Sequence, residues 1–203
     1  MWTIDEGLSG IDVHVANDGL QPLRARLRVA LYRDREVAVG EAVRELEVPA
    51  HGAHVDNVEE MLGHFVDVSW SYRFGPPAQD VVVASLERSG GGGEELLGQA
   101  FRLPAGRPLA RETASALGLE ASLEPGAGGQ PLLSVRARRF VYGARVDVPG
   151  FVPADDAFCV EPGGERRIAL RSLVGDPTEA PQRAEITALN LSGRVVAANT
   201  PSP

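Results

Sequence analysis

This sequence has one cysteine, no lysine and few aromatic rings, and each shortage excludes something. The lone Cys159 cannot form an internal disulfide, so the fold does not depend on an oxidising compartment. No apolar run approaches the ~18–20 residues that a membrane-spanning helix needs. The first residues, Met1-Trp2-Thr3-Ile4-Asp5-Glu6, are acidic and lack the positive flank and apolar stretch of a signal peptide. These features fit a cytoplasmic location and leave a secreted parent open. Basic charge is carried by arginine alone, which reads as the coding bias of a GC-rich genome. A formal net charge of −8 argues against binding to nucleic acid or to an anionic membrane, because phosphate binding draws on cationic side chains.

What is present is alternation. Apolar residues make up 43% of the 203-residue chain, enough for one large or two small cores without covalent staples. In Ile11–Asn17, the residues Ile11, Val13 and Val15 share one face, and Asn17-Asp18-Gly19 supplies a turn. Leu23, Ala25, Leu27, Val29 and Leu31 point one way while Arg24, Arg26 and Arg28 point the other, as a half-buried strand requires. Further strands are expected at Ala42–Val48, with Leu46 and Val48 inward, at Phe65–Phe74, Val81–Glu87 and Leu97–Leu103. Trp70 shares a face with Val66, Val68, Tyr72 and Phe74 and reads as a core residue. Ser89–Glu94, with four glycines, reads as a flexible loop tip. The one helical candidate is Val55–His64.

Leu103-Pro104-Ala105-Gly106-Arg107-Pro108 has the punctuation of a linker. Beyond it, strands are expected at Leu117–Leu123, Leu132–Tyr142, Ala144–Val148, Ala157–Val160, Arg166–Arg171, Ala184–Leu191 and Val195–Ala198. Pro162-Gly163 predicts a type II turn, with proline setting φ and glycine taking the positive φ that follows. Short strands with turns every ~8–12 residues are the pattern of an immunoglobulin-like sandwich. The expected fold is therefore all-β: two tandem immunoglobulin-like β-sandwich domains, residues 1–104 and 110–203, with no convincing sequence repeat between them.

The segment Ala154-Asp155-Asp156-Ala157-Phe158-Cys159-Val160-Glu161-Pro162-Gly163-Gly164-Glu165, followed by Ile168 and Leu170, resembles a stretch in the C-terminal immunoglobulin-like domains of family 2 glycoside hydrolases. The β-mannosidase type is the nearest, where S-D-N-Y-F-x-L-x-P-G-E recurs. Asp155, Phe158, Pro162 and Gly163 match. Asp156 replaces the usual asparagine and Ala157 the usual aromatic. Ile186–Asn190 also fits, and Gly10–Arg28, with V-x-V-x-N-D-G-L, resembles the preceding domain of the same enzymes. The resemblance implies a non-catalytic C-terminal accessory region whose partner is the preceding catalytic domain of the same polypeptide. In that family the catalytic glutamates stand on a (β/α)₈ barrel of about 250 residues. This chain has no room for one, so no catalytic residue is carried over. No cofactor is implied.

The residues themselves point to no reaction. Glycoside hydrolysis needs two carboxyls about 5–10 Å apart on a rigid site. Glu59-Glu60, Glu94-Glu95 and Asp155-Asp156 are instead sequence neighbours in turns or loops, and Asp155 reads as a turn cap. His51, His54 and Asp56, with His64 beyond, have neither the helix pattern nor the cysteine partners of a zinc site and read as a surface loop. Cys159 has no nucleophile context, and the glycines at 90–93 do not follow the strand-to-helix pattern of a phosphate cradle. Trp2, Tyr142 and Phe151 are the candidate contacts for a neighbouring domain. Two other roles stay open: a carbohydrate-binding module, which would need exposed rings, and a stand-alone adhesion or interaction domain.

Overall fold

The computed structural model describes residues 2–7, 10–64, 66–69, 75–88, 95–108, 110–173 and 180–198. The chain is all-β and divides into two compact units, Met1–Arg107 and Pro108–Pro203. Among the described residues there are four antiparallel sheets, two in each unit.

The first unit runs β1 (Trp2–Gly7), β2 (Gly10–Asn17), β3 (Leu23–Arg33), β4 (Val37–Val48), β5 (Gly52–Asn57), α1 (Val58–Leu62), β6 (Val81–Arg88) and β7 (Glu95–Arg102). One sheet has the order β1-β2-β5 and the other β4-β3-β6-β7. The chain therefore leaves β2 for the opposite sheet and returns through β5 to lie beside β2, a Greek-key path. Ile11, Val13 and Val15 on one sheet meet Ala25, Leu27, Val29, Leu31, Leu46, Val48, Val82, Ala84 and Leu86 on the other in one dry layer. Burying each such Val, Leu or Ile contributes ~1.5–3 kcal/mol, which is why the alternation specifies the register. On the reverse face of β3, Arg24 pairs with Glu47 at 3.2 Å, Arg26 with Glu87 at 2.6 Å and Arg28 with Glu41 at 3.7 Å. The arginines that marked the strand as half-exposed thus bridge to both flanking strands.

Among the described residues of the first unit, helix is confined to α1. Asn57 caps it, accepting from the Glu60 amide at 3.2 Å, and Gly63 ends it at φ 71°. Val55–Asn57, expected as helix, belong to β5. The strand β5 was hidden because its inward residues, His54 and Asp56, are polar where alternation calls for apolar ones. Both stand opposite core valines, Val15↔His54 and Val13↔Asp56. Asp56 is only 4% exposed and accepts from Arg44 of β4 and from His54. A three-residue polar clasp thus joins the edge strands of the two sheets. Of the expected Phe65–Phe74 strand, residues 66–69 are not extended in a ladder, although Val68 is fully buried. Phe65, Trp70, Tyr72 and Phe74 lie outside the described residues, as do positions 89–94.

The second unit runs α2 (Ala114–Leu117), β8 (Glu120–Pro125), β9 (Pro131–Arg136), β10 (Val141–Asp147), β11 (Phe151–Pro153), β12 (Phe158–Val160), β13 (Glu165–Ser172), β14 (Arg183–Thr187) and β15 (Val195–Ala198). Its sheets are β12-β10-β14-β15 and β11-β13-β9-β8. The same path recurs: β10 leaves the sheet of β9, and β13 returns beside β9. Leu133, Val135, Ile168 and Leu170 pack across the interior on Val141, Ala144, Phe158, Val160, Ala184 and Ile186.

Three expectations change here. Leu117–Leu123 is not one strand, because Thr113 caps α2 and Leu117 ends it, so pairing begins at Glu120. Leu132–Tyr142 breaks into β9 and β10. Between them the Arg138 and Arg139 amides donate to the Leu117 carbonyl at 3.1 and 3.0 Å, and the Arg138 carbonyl accepts from Gly163. The backbone there is satisfied by a helix end and a turn, not by a strand. The strand expected over Ala184–Leu191 stops at Thr187. Pro162-Gly163 forms the expected turn, with Gly163 at φ 71° and the Gly164 amide donating to the Glu161 carbonyl at 2.9 Å. Gly143 sits at φ 61° in a bulge of β10, where a Cβ would lie 2.9 Å from the Leu189 side chain.

One asparagine closes each sandwich. In the first, Asn17 donates to the Val48 and Pro49 carbonyls at 3.1 and 3.0 Å and accepts from the Gly19 amide. In the second, Asn190, fully buried, accepts from the Tyr142 amide at 2.8 Å and donates to the Phe140 carbonyl at 2.9 Å. Its own carbonyl accepts from the Glu112 amide at 2.9 Å. Replacing Asn190 with alanine strands two buried backbone groups, each costing ~1–3 kcal/mol. Urea unfolding of Asn190→Ala is expected to show the second unit destabilised by about 2–4 kcal/mol.

Candidate functional surface

The most organised polar surface lies on the outer face of β8, β9 and β13. Alternation turns Leu133, Val135, Ile168 and Leu170 inward, so Glu120, Ser122, Glu124, Ser134, Arg136, Glu165 and Arg167 stand on the opposite face. The register sets Glu120, Arg136 and Glu165 in one row across the three strands and Ser122, Ser134 and Arg167 in the next. Ser134, 2% exposed in the central strand, donates to Glu165 at 2.6 Å. Arg167 and Arg136 donate to the same carboxylate at 3.0 and 3.1 Å. The Ser134 hydroxyl is the main influence that brings the Glu165 carboxyl down to about 2; burial pushes upward, and the Arg167 and Arg136 guanidiniums add to the lowering. Ser122 donates to Glu124 at 3.1 Å. Glu120, Ala121, Ser122, Glu124, Ser134 and Arg136 line an open cavity of about 170 Å³.

The residues singled out in the sequence are scattered. Trp2 pairs through its backbone with Val15, and its ring lies outside the described residues. Tyr142 is half-buried beside Phe140, ring centroids 6.2 Å apart. Phe151 packs against the core of its own unit. Asp155 is an ion partner of Arg166, not a turn cap. The neighbouring Asp156 takes the backbone role, accepting from the Val146 amide at 3.1 Å and from Arg145. Ala157, exposed at φ 59°, occupies the position where the resembling domains carry an aromatic. Arg166 lies 5.7 Å from the centre of the Phe158 ring, so its cation rests on the rim of the core.

Glu59 accepts from the Ile11 amide at 3.2 Å, and burial raises its pKa above the ordinary value. Of the histidines, His54 meets Asp56 at 2.8 Å, and the His64 Nδ1 lies 2.9 Å from the Leu62 carbonyl. The pair His54 and Asp56 is on a strand, not in a surface loop. Among the described residues no three His, Cys, Asp or Glu side chains converge as a metal centre. Cys159 faces away from Phe158 and Val160, and burial raises its thiol pKa above the ordinary value.

Sequence reasoning overlooked Ser134, Glu165, Asn190 and the Arg44–Asp56 pair. A serine in an otherwise apolar stretch of β9 was the one available signal, but its partner lies 31 positions away.

No protein-family model matches the chain, and no curated protein matches it in sequence. Solved structures do. A β-D-mannosidase from Dictyoglomus thermophilum matches 95% of this chain with a TM-score of 0.68 at 14% identity, over 22% of the enzyme's length. The exo-chitosanase CsxA of Amycolatopsis orientalis matches 98% of this chain with a TM-score of 0.54, also at 14% identity, over 26% of its length. This chain thus spans about a quarter of either enzyme, and at that identity the likeness is one of fold.

The Glu165 network makes a pH prediction. Its folded pKa is depressed from 4.5 to about 2, so its stabilisation is complete above 4.5 and fades as pH falls toward 2. Glu165→Gln is expected to cost about 1–2 kcal/mol at pH 7, after allowance for solvent screening. The gap between variant and parent should close by pH 2, as read from urea midpoints at pH 7, 4 and 2.

Proposed function

We propose that this chain is a non-catalytic accessory region of a β-mannosidase-like glycoside hydrolase, built as two immunoglobulin-like domains that buttress a catalytic barrel in the same polypeptide. The observation that carries this reading is a structural match that runs through both units of the chain while taking up 22% of a β-D-mannosidase. The stretch Ala154–Glu165 supports it independently, since its Pro162-Gly163 turn and buried Phe158 stand as the resemblance requires.

The role is mechanical. Interdomain interfaces within a chain bury roughly 600–1,500 Å² and hold a neighbour by apolar and charge-paired contacts. Tyr142 and Phe151, both half-buried, and Trp2 of the first strand are the candidate contacts for such a neighbour.

The size of the native polypeptide tests the reading. If the chain makes up 22–26% of its parent, its 21.5 kDa scales to a parent of roughly 83–98 kDa. An antibody against this chain should reveal a band of that size in extracts of source cells, and that band should carry aryl-β-mannosidase activity on immunoprecipitation. A band at 21.5 kDa alone would overturn the proposal.

A further inference from the structure

We infer that the Asp18-Gly19 bond is a site of backbone isomerisation to isoaspartate, held in check by Asn17, and that its conversion opens the first sandwich. Asp18-Gly19 is the one Asp-Gly pair in the sequence, and both residues are exposed in the turn after β2. Glycine has no Cβ to obstruct the approach of its nitrogen to the preceding carboxyl. In the reaction the Gly19 nitrogen attacks Asp18 Cγ, and the carboxyl hydroxyl leaves with the amide proton as water, closing a five-membered succinimide. Water then opens the ring. Opening at the Asp18 main-chain carbonyl leaves the chain running through Cγ, with a new α-carboxylate and no net change in mass.

The fold holds that nitrogen away from the carboxyl. The Gly19 amide donates to Asn17 Oδ1 at 3.0 Å, and the Gly19 carbonyl accepts from the His51 amide at 3.3 Å. Asn17 is itself anchored: it is 8% exposed and its Nδ2 donates to the carbonyls of Gln21, Val48 and Pro49 at 2.9, 3.1 and 3.0 Å. Attack therefore waits for local opening of this cluster, and its rate follows the open fraction. The product cannot return to the same arrangement. Isoaspartate adds one backbone carbon between Asn17 and Gly19, so Asn17 can no longer hold the Gly19 amide and the Gln21 carbonyl while it keeps those of Val48 and Pro49. The link between β2 and the end of β4, strands of opposite sheets, is then lost.

Incubation of the whole chain at pH 7 tests this. Isoaspartate is counted by enzymatic methylation of the new carboxylate and located by peptide mapping, with a synthetic peptide of residues 13–23 giving the unprotected rate. The folded chain is expected to isomerise at Asp18 at least about tenfold more slowly than the peptide, and in urea at the peptide's rate. Asn17→Ala, folded by circular dichroism, should move severalfold toward the peptide. The isoaspartate fraction, once separated, should unfold at lower urea than the unmodified chain. A folded chain as fast as the peptide, a folded Asn17→Ala no faster than the parent, or an isomerised fraction with an unchanged urea midpoint would each overturn the inference. Should Asn17→Ala fail to fold, the parent's rate against the peptide and the midpoint of its isomerised fraction decide.

Discussion

Leu27 and Val29 of β3 reach Val13 and Val15 across the first sandwich, and Ile168 and Leu170 of β13 reach Val141 and Ile186 across the second. Everything else in the chain depends on these two dry layers. A slip of one residue in any central strand would turn its apolar set to water and its arginines inward. The charged ladders on the outer faces, Arg24–Glu47 and Arg26–Glu87 in one unit and Arg136–Glu165 in the other, exist because the inner faces are fixed first. They add little individually in solvent, but they disfavour the slipped registers.

Polar groups enter the interiors only where they satisfy backbone or close an edge. Asn17 and Asn190 each take carbonyls and amides that the ladders leave over at a strand end. The Arg44–Asp56–His54 clasp does so between sheets, with a carboxylate buried at 4% exposure and two donors upon it. Removing one member of such a set costs more than the set contributes, because the remainder is left buried and unpaired. The outer face of β8, β9 and β13 follows the opposite logic. There the charged groups meet at the surface, Glu165 with Ser134, Arg136 and Arg167, and Glu124 with Arg167 at 3.9 Å.

The likeness to parts of two glycoside hydrolases concerns backbone, and it holds at 14% identity. Sandwiches tolerate such divergence because the dry layer asks only for apolar residues of suitable size at alternate positions. What distinguishes one sandwich from another is then carried by outward residues, by turns and by edges. In this chain those are the serines, glutamates and arginines around Ser134, and the half-buried Tyr142.

The strands β2, β3, β12 and β13 were legible by alternation, β6 by its run of β-branched residues, and the Pro162-Gly163 turn by the φ demands of its two residues. These signals are local: one residue and its neighbours two positions away determine them. By contrast, β5 was hidden by His54 and Asp56, whose burial makes sense only once Arg44 arrives from the other sheet. The break between β9 and β10 was hidden because Arg138 and Arg139 find their backbone partners in α2 and in a distant turn. The depressed Glu165 carboxyl depends on Ser134, 31 positions away. Sequence alone determined that the chain is all-β and which faces of its clearest strands are dry, because burial of alternate side chains is a short-range pattern. Tertiary structure decided which polar groups are paired and where the cavity forms, because those depend on hydrogen bonds and charges brought together from strands far apart in the chain.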